Sequence, residues 1–156
     1  MQMLTDGYFW GFIAACFVVS LSGAVFKPGA WYAGLRKPRW NPPNWLFGPA
    51  WAVLYISIAT AGYLVWREVG FGPVLVIYGV QLVINAMWSG LFFGLQRPDF
   101  GFYGVTALWL SIVACIVAFA PISAAAMWLM VPYLCWVSFA AFLNWTLWRM
   151  NGAQPA

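Results

Sequence analysis

Histidine is absent from the 156-residue chain, and charged residues make up only 6% of it. Ser-His-Asp and Cys-His catalytic sites need an imidazole as base, and His-ligated zinc, haem and di-iron sites need it as ligand, so all of these are excluded. The three acids are Asp6, Glu68 and Asp99, and none lies in the middle of an apolar stretch. The sequence therefore lacks the carboxylate relay on which proton pumps and proton-coupled antiporters depend.

Cysteine is also scarce, since Cys16, Cys115 and Cys135 are an odd set, widely spaced, and no CxxC pair occurs. Each cysteine lies within an apolar run, which favours a packing role over a redox or metal role. We predict no metal site and no resident cofactor.

What the chain does contain is apolar residues: 65% of its residues are hydrophobic and 21% are aromatic. Soluble domains contain roughly 45–50% apolar residues. Five apolar stretches are each long enough to cross a bilayer, which takes about 20 residues. They lack the alternation of strands, and in lipid a helix satisfies its own backbone hydrogen bonds. We therefore predict an all-α polytopic membrane protein, with residues 1–156 forming a single bundle of five transmembrane helices. The predicted spans are about 7–26, 45–66, 73–96, 99–120 and 123–149, with a first loop at 27–44.

Polar residues and prolines mark the predicted helix ends. Asp6 precedes the first span, and Pro73 opens the third in a position where its missing N–H is not needed. Asp99 and Ser123 are the predicted N-caps of the fourth and fifth spans. Pro132 is expected to kink the fifth helix.

Lysine and arginine divide unequally between the two sides of the predicted bundle. Of the seven cations, only Arg67 lies on the same side as the N-terminus. The other six are Lys27, Arg36, Lys37, Arg39, Arg97 and Arg149. By the positive-inside rule, the first loop and the C-terminus face the cytoplasm and the N-terminus lies outside.

Polar or aromatic residues recur at i, i+4, i+8 spacing on three of the spans. These faces are Gln81, Asn85 and Ser89 on the third span, Trp51, Tyr55 and Ala59 on the second, and Trp136, Ala140 and Asn144 on the fifth. Buried amides cost several kcal/mol in hydrocarbon unless they are hydrogen-bonded, so the faces point inward. Two interpretations stay open: the polar groups join helices, or they orient a flat, mostly apolar ligand that stacks on the indoles.

The first loop combines aromatic rings, prolines and cations within residues 31–43. A loop stiffened by prolines can cover the mouth of a helix bundle, where its basic groups would attract acidic ligands such as carboxylates. Alternatively, the same residue types bind anionic lipid headgroups.

The loop pattern W-Y-x-x-L-x-K-P-x-W-x-P-P, followed eight residues later by Trp51, resembles the tryptophan-rich sensory protein family, the bacterial relatives of the mitochondrial translocator protein. The resemblance continues through Asn85, the Phe-Phe-Gly segment at 92–94 and the Val-Pro-Tyr-Leu-Cys-Trp segment at 131–136. It therefore covers nearly the whole chain.

The resemblance implies a five-helix, usually dimeric protein of a bacterial cell membrane, whose partners are a flat apolar ligand and the lipid bilayer, with no nucleic acid. Its cytoplasmic-side pocket would bind protoporphyrin IX or haem-like tetrapyrroles, in a receptor or carrier with a regulatory or stress-response role. The alternatives are a porphyrin transporter and a light-dependent porphyrin-degrading protein, in which Trp51 and Trp136 would take part. Carried over by position, the ligand-binding residues would be Tyr32, Trp40, Pro42, Trp51, Tyr55, Asn85, Trp136, Ala140 and Leu143.

The third span carries a GxxxG motif formed by Gly90 and Gly94. Small residues let helix backbones approach closely in lipid, so we predict a parallel homodimer to which this helix contributes. Gly7 and Gly11 on the first span form a competing small-residue face.

Overall fold

The computed structural model describes residues 3–26 and 28–153, and the described chain contains helices and no strand. The helices are α1 (Gly7–Val25), α2 (Ala30–Gly34), α3 (Asn44–Val69), α4 (Pro73–Ser89), α5 (Pro98–Phe119) and α6 (Ala124–Asn151). A 3-10 turn at Met3–Thr5 precedes α1, and a π-helical turn at Gly90–Gly94 continues α4.

Five helical segments are long and apolar enough to cross a membrane, which confirms the predicted all-α membrane fold. They are Gly7–Val25, Asn44–Val69, Pro73–Gly94, Pro98–Phe119 and Ala124–Asn151. Their ends lie within a few residues of the predicted spans. The short helix α2 lies inside the predicted first loop, where no helix was expected.

Three of the predicted helix starts are confirmed and one is wrong. The Asp6 carboxylate accepts a hydrogen bond from the Tyr8 N–H at 2.9 Å, Ser123 caps α6, and Pro73 is the first residue of α4. Asp99 is not the N-cap of α5, because the helix already begins at Pro98, which needs no N–H partner there. Asp99 instead lies in the first turn and pairs with Arg97.

The helices pack around a shared apolar core. α5 packs mainly on α6 and α4, whereas α1 packs on α3 and α4. One face of α5 is completely buried at helical spacing, through Val105, Leu108, Ile112, Cys115 and Phe119. This burial agrees with the predicted packing role for Cys115, and Cys16 is buried in the same core.

The outer surface of the bundle is apolar as well. Large side chains such as Val53, Val76, Leu110 and Val117 are each more than half exposed. Cys135 also faces outward on α6 and is not a packing residue. A surface of this kind suits hydrocarbon and not water, because contiguous apolar area on this scale is rare on soluble monomers.

Candidate functional site

A cavity of about 600 Å³ lies between α1, α3, α4 and α6, at the end of the bundle that the first loop approaches. Binding sites for small molecules typically have volumes of about 300–1,000 Å³ and mostly apolar walls. Residues of its wall include Tyr32, Phe47, Trp51, Tyr55, Asn85, Trp88, Ser89, Phe92, Phe93, Ala140, Leu143 and Asn144. Aromatic rings from the loop, α3, α4 and the π turn therefore surround one space.

The structure brings most of the sequence-predicted ligand-binding residues together around this cavity. They are Tyr32, Trp51, Tyr55, Asn85, Ala140 and Leu143. They come from four separate elements, α2, α3, α4 and α6, which the bundle brings together around one space.

Three predicted ligand-binding residues do not line the cavity. The Trp40 ring stacks on Phe142 with centroids 5.3 Å apart, on the outside of the bundle. Pro42 is half-buried in the loop, where its carbonyl accepts a hydrogen bond from the Asn41 amide. Trp136 lies behind Phe47, with ring centroids 6.0 Å apart, so it supports the wall without forming it.

Several wall residues were not among the predicted ligand-binding residues. Trp88 lies next to Ser89 of the polar stripe on α4, and Asn144 lies one turn beyond Ala140 on α6. The sequence pattern could therefore have indicated both. Phe92 and Phe93 reach the cavity from the π turn. The sequence pattern of an α-helix does not indicate that a π-helical turn occurs there.

A chain of hydrogen bonds connects three helices beside the cavity. The Tyr55 hydroxyl donates to Asn85 Oδ1 at 3.0 Å, and Asn85 Nδ2 donates to the Tyr133 hydroxyl. Tyr133 in turn donates to Gln81 Oε1 at 3.2 Å. The two interpretations of the polar stripe are therefore compatible, because Asn85 joins α3, α4 and α6 and also forms part of the cavity wall.

Two polar atoms of cavity-lining residues have no hydrogen-bond partner in the described structure. They are the indole N–H of Trp88 and Oδ1 of Asn144, on side chains that are at least nine-tenths buried. The Asn144 amide nitrogen is already used, since it donates to the Ala140 carbonyl at 2.9 Å. An unpaired buried donor or acceptor costs about 1–3 kcal/mol. Both atoms lie on the side of α5: a Cβ atom on Gly101 would lie 2.8 Å from Asn144 Oδ1, and one on Gly104 would lie 3.5 Å from Trp88 Cδ1, the carbon next to the indole nitrogen.

The first loop is held to the end of α6 at Arg36. The Asn151 side chain accepts from the Arg36 N–H at 2.8 Å and donates to the Arg36 carbonyl at 2.9 Å. The Lys37 ammonium lies over the Tyr32 ring, 4.7 Å from its centroid. Burial raises the pKa of the Tyr32 phenol, although its hydrogen bond to Asn41 acts in the opposite direction. Tyr32 therefore remains a protonated donor at neutral pH.

The TspO/MBR family profile matches residues 12–149, a range that includes every described residue of the cavity wall. The chain belongs to the TspO/MBR family. This confirms the resemblance drawn from the loop motif and the segments that follow it.

Proteins of several organisms are similar to the chain over most of its length. It is 43% identical to the tryptophan-rich protein TspO of Chlorobaculum tepidum, over 89% of this chain and 92% of that protein. It is 41% identical to the protein CrtK of Rhodobacter capsulatus, over 92% and 93% respectively. The human translocator protein is 38% identical, over 87% of this chain and 83% of its own.

The glycines predicted to form a dimer interface lie on the π turn. A Cβ atom on Gly94 would lie 2.9 Å from the Phe26 ring of the same chain, and one on Gly90 would lie 3.6 Å from it. The small-residue face therefore has a neighbour within the chain, and the homodimer stays a prediction. No group of three His, Cys, Asp or Glu residues that could hold a metal ion occurs within residues 3–26 and 28–153.

Proposed function

We propose that this TspO/MBR protein is a membrane receptor or carrier that binds protoporphyrin IX or a related haem-like tetrapyrrole in the cavity beneath the first loop. The observation that carries the proposal is the aromatic wall around about 600 Å³, into which Trp51, Trp88 and Phe92 project from different elements. Indole and phenyl rings stack on flat conjugated systems.

The mode of binding follows from the residues that are present. With no histidine in the chain, recognition relies on the macrocycle and not on an imidazole–iron bond. Tetrapyrroles such as protoporphyrin carry carboxylates on one edge. Arg36 and Arg39 are exposed on the first loop, and their charge favours a ligand oriented with that edge toward the loop.

The proposal also states in which membrane the protein lies and which of its ends faces the cytoplasm. We assign the protein to a bacterial cell membrane with the first loop and the C-terminus in the cytoplasm, on the basis of the six-to-one division of cations. The names of its relatives, among them a tryptophan-rich sensory protein and the translocator proteins, support a regulatory role at a membrane. A C-terminal reporter enzyme active only in the cytoplasm is expected to be active; activity of a periplasm-only reporter at that position would reverse the orientation.

The test of porphyrin binding is a titration of the detergent-purified protein with protoporphyrin IX, followed by porphyrin absorbance in the dark. Trp51→Ala removes one wall of the cavity and should weaken affinity by about tenfold to a hundredfold, the equivalent of roughly 1–3 kcal/mol of lost aromatic contact. The matched control is Trp128→Ala, because Trp128 is 65% exposed on the outside of α6. Equal affinities for the wild type and both variants would show that the porphyrin does not bind in this cavity.

A further inference from the structure

An open groove lies on the outside of the bundle between α1 and α4, apart from the cavity beneath the first loop. Its volume is about 640 Å³. One wall is a face of α1 within residues 7–15, and the other is a face of α4 within residues 75–82. Asp6 and Phe71, which precede these two helices, line the end of the groove at the membrane surface.

The depth of the groove matches one leaflet of a bilayer. The eight steps from residue 7 to residue 15 of α1 rise about 12 Å at 1.5 Å per residue. The hydrocarbon core of a bilayer is about 30 Å thick, so one leaflet contributes about 15 Å. An acyl chain has this extent, because it begins at the lipid headgroup and ends near the middle of the bilayer.

The walls of the groove are apolar and open toward the lipid. A Cβ atom on Gly11 or on Gly79 would meet no other atom within 4 Å. The Tyr8 side chain is 57% exposed and the Phe71 side chain 76% exposed. A flexible acyl chain can follow such a surface, since the attraction between apolar groups is not directional.

The membrane-surface end of the groove combines a carboxylate with aromatic rings. The Asp6 carboxylate accepts hydrogen bonds from the Tyr63 hydroxyl at 2.7 Å and from the Tyr8 N–H at 2.9 Å. A carboxylate has about four acceptor positions, so there is room for a further donor. The Tyr8 ring stacks on Trp66 with centroids 4.2 Å apart, and Trp66 lies 6.0 Å from the Phe71 ring. Negative charge beside the faces of aromatic rings favours ammonium groups.

The charges around this end match a zwitterionic headgroup. In the described part of the chain, the ion pair is that of Arg97 with Asp99, so the Asp6 carboxylate has no direct cationic partner there. Arg67 acts on Asp6 electrostatically without forming such a pair. Arg67 is also exposed, so its guanidinium can bind the phosphate of a lipid whose ammonium lies at Asp6.

A second copy of the chain suits this groove less well than a lipid does. In a parallel two-fold dimer formed through the groove, the Asp6 carboxylates of the two copies would lie at the same level of the membrane. Like charges brought together across an interface oppose association. An ammonium headgroup brings the opposite charge to the same place.

We propose that the groove between α1 and α4 binds a glycerophospholipid with an ammonium headgroup, which places one acyl chain in the groove, its ammonium at Asp6 and its phosphate at Arg67. The lipid belongs to the leaflet on the N-terminal side of the membrane. A lipid with a glycerol headgroup can fill the groove with its chain but has no cation for Asp6. The site shares no wall residue with the cavity beneath the first loop, so it does not depend on the proposed function.

The experiment measures lipid retained by the full chain, using native mass spectrometry in detergent. The probe is an equal mixture of phosphatidylethanolamine and phosphatidylglycerol with identical acyl chains. The wild type should retain the ethanolamine lipid about tenfold over the glycerol lipid, the effect expected of a partly desolvated cation beside aromatic rings. Asp6→Asn keeps a residue that caps helices but removes the charge, and should abolish the preference. Glu68→Gln removes an exposed carboxylate on the same side of the membrane, outside the groove, and should leave the preference unchanged.

Two neighbouring alanines of α1 test whether the acyl chain lies in the groove. Ala15 lines the groove, whereas Ala14 is exposed beside it. Ala15→Leu should lower retention of both lipids by roughly tenfold, the effect of displacing about two methylene groups. Ala14→Leu adds the same bulk outside the groove and should retain both lipids like the wild type.

Equal retention of the two lipids by the wild type would overturn the proposal, and so would an unchanged preference in Asp6→Asn. Equal retention by Ala14→Leu and Ala15→Leu would show that the acyl chain does not lie in the groove. Light scattering adds one more outcome. A monomeric Ala15→Leu beside a dimeric Ala14→Leu would show that a second copy occupies the groove, and this would also overturn the lipid site.

Discussion

Asn85 shows at the residue scale how a single amide contributes to both fold and site. Its side chain accepts from Tyr55 and donates to Tyr133, so it joins helices that are far apart in sequence. The same residue lines the cavity. The sequence predicts that Asn85 is buried and inward-facing, since a lone amide in an apolar span needs partners. It does not predict which partners, because these depend on how three helices are rotated against one another.

Replacing Asn85 by Ala should weaken both stability and porphyrin binding. The Tyr55 and Tyr133 hydroxyls each lose one hydrogen bond, and each such bond is worth about 0.5–1.5 kcal/mol net. We expect a lower midpoint of thermal unfolding in detergent together with weaker affinity for protoporphyrin IX. Asn44→Ala is the matched control, because Asn44 is exposed at the start of α3. An Asn85→Ala protein with wild-type stability would mean that the hydrogen-bonded chain does not hold the helices together.

Asp6 links the stability of α1 to pH. Its carboxylate accepts hydrogen bonds from the Tyr63 hydroxyl and the Tyr8 N–H, and these lower its pKa from the ordinary value of 3.8. A carboxyl whose pKa is lower in the folded state stabilises the fold above its unfolded pKa, and this contribution is lost as pH falls through the folded pKa.

We therefore expect the unfolding midpoint to fall on acidification below about pH 4, which is close to the unfolded pKa of Asp. Asp6→Ala should be less stable than the wild type at neutral pH and should lose less stability on acidification. Thermal unfolding in detergent at several pH values measures both effects. Parallel pH profiles for the two proteins would show that Asp6 does not carry this dependence.

At the scale of elements, the spans are predictable and the π turn is not. Each apolar run is long enough to cross the membrane and must do so as a helix, because in hydrocarbon its backbone N–H and C=O groups can hydrogen-bond only to one another. The π turn adds one residue to a helical turn, which changes neither composition nor hydropathy. It nevertheless determines how Phe92 and Phe93 reach the cavity.

The fifth span shows a related limit for the site. Eight residues of α-helix rotate by about 800°, so residues i and i+8 differ in direction by about 80°. Ala140 and Asn144 line the cavity, while Trp136 is turned away from it and packs against Phe47 and Phe139. Three residues spaced at i, i+4, i+8 on a straight helix therefore need not all point into the same cavity, and the prediction from this spacing included one residue too many.

The π turn depends on a close approach at Gly101 of α5. A Cβ atom there would collide with the Phe92 ring and would lie 2.8 Å from Asn144 Oδ1. Gly101→Ala should therefore destabilise the protein by about 1–3 kcal/mol, the usual cost of overpacking a core, and weaken porphyrin binding by displacing Phe92. Gly79→Ala is the control, since its Cβ meets open space and alanine favours a helix by up to about 1 kcal/mol. Denaturation in detergent should separate the two variants, and equal stabilities would show that the approach at Gly101 is not tight.

At the scale of the whole molecule, the surface is apolar around the bundle and the cations concentrate at one end. Length, apolar runs and cation positions are properties of the sequence, so they predict the number of crossings and an orientation. The cavity beneath the first loop is a property of packing. No pattern within one helix reveals what its neighbours leave open.

The predicted homodimer is the assembly that α4 and its π turn would form. Gly94→Leu alone cannot test it, because the new side chain would also collide with Phe26 of the same chain. The informative variant combines Gly94→Leu with Phe26→Ala, which restores room within the chain while leaving a bulky residue on the small-residue face. We expect this double variant to be a folded monomer in mild detergent, measured by light scattering, because the close helix approach on which such dimers depend is blocked. Gly7→Leu, on the competing face of α1, should remain dimeric. A dimeric double variant together with a monomeric Gly7→Leu would show that the dimer interface lies on α1 instead.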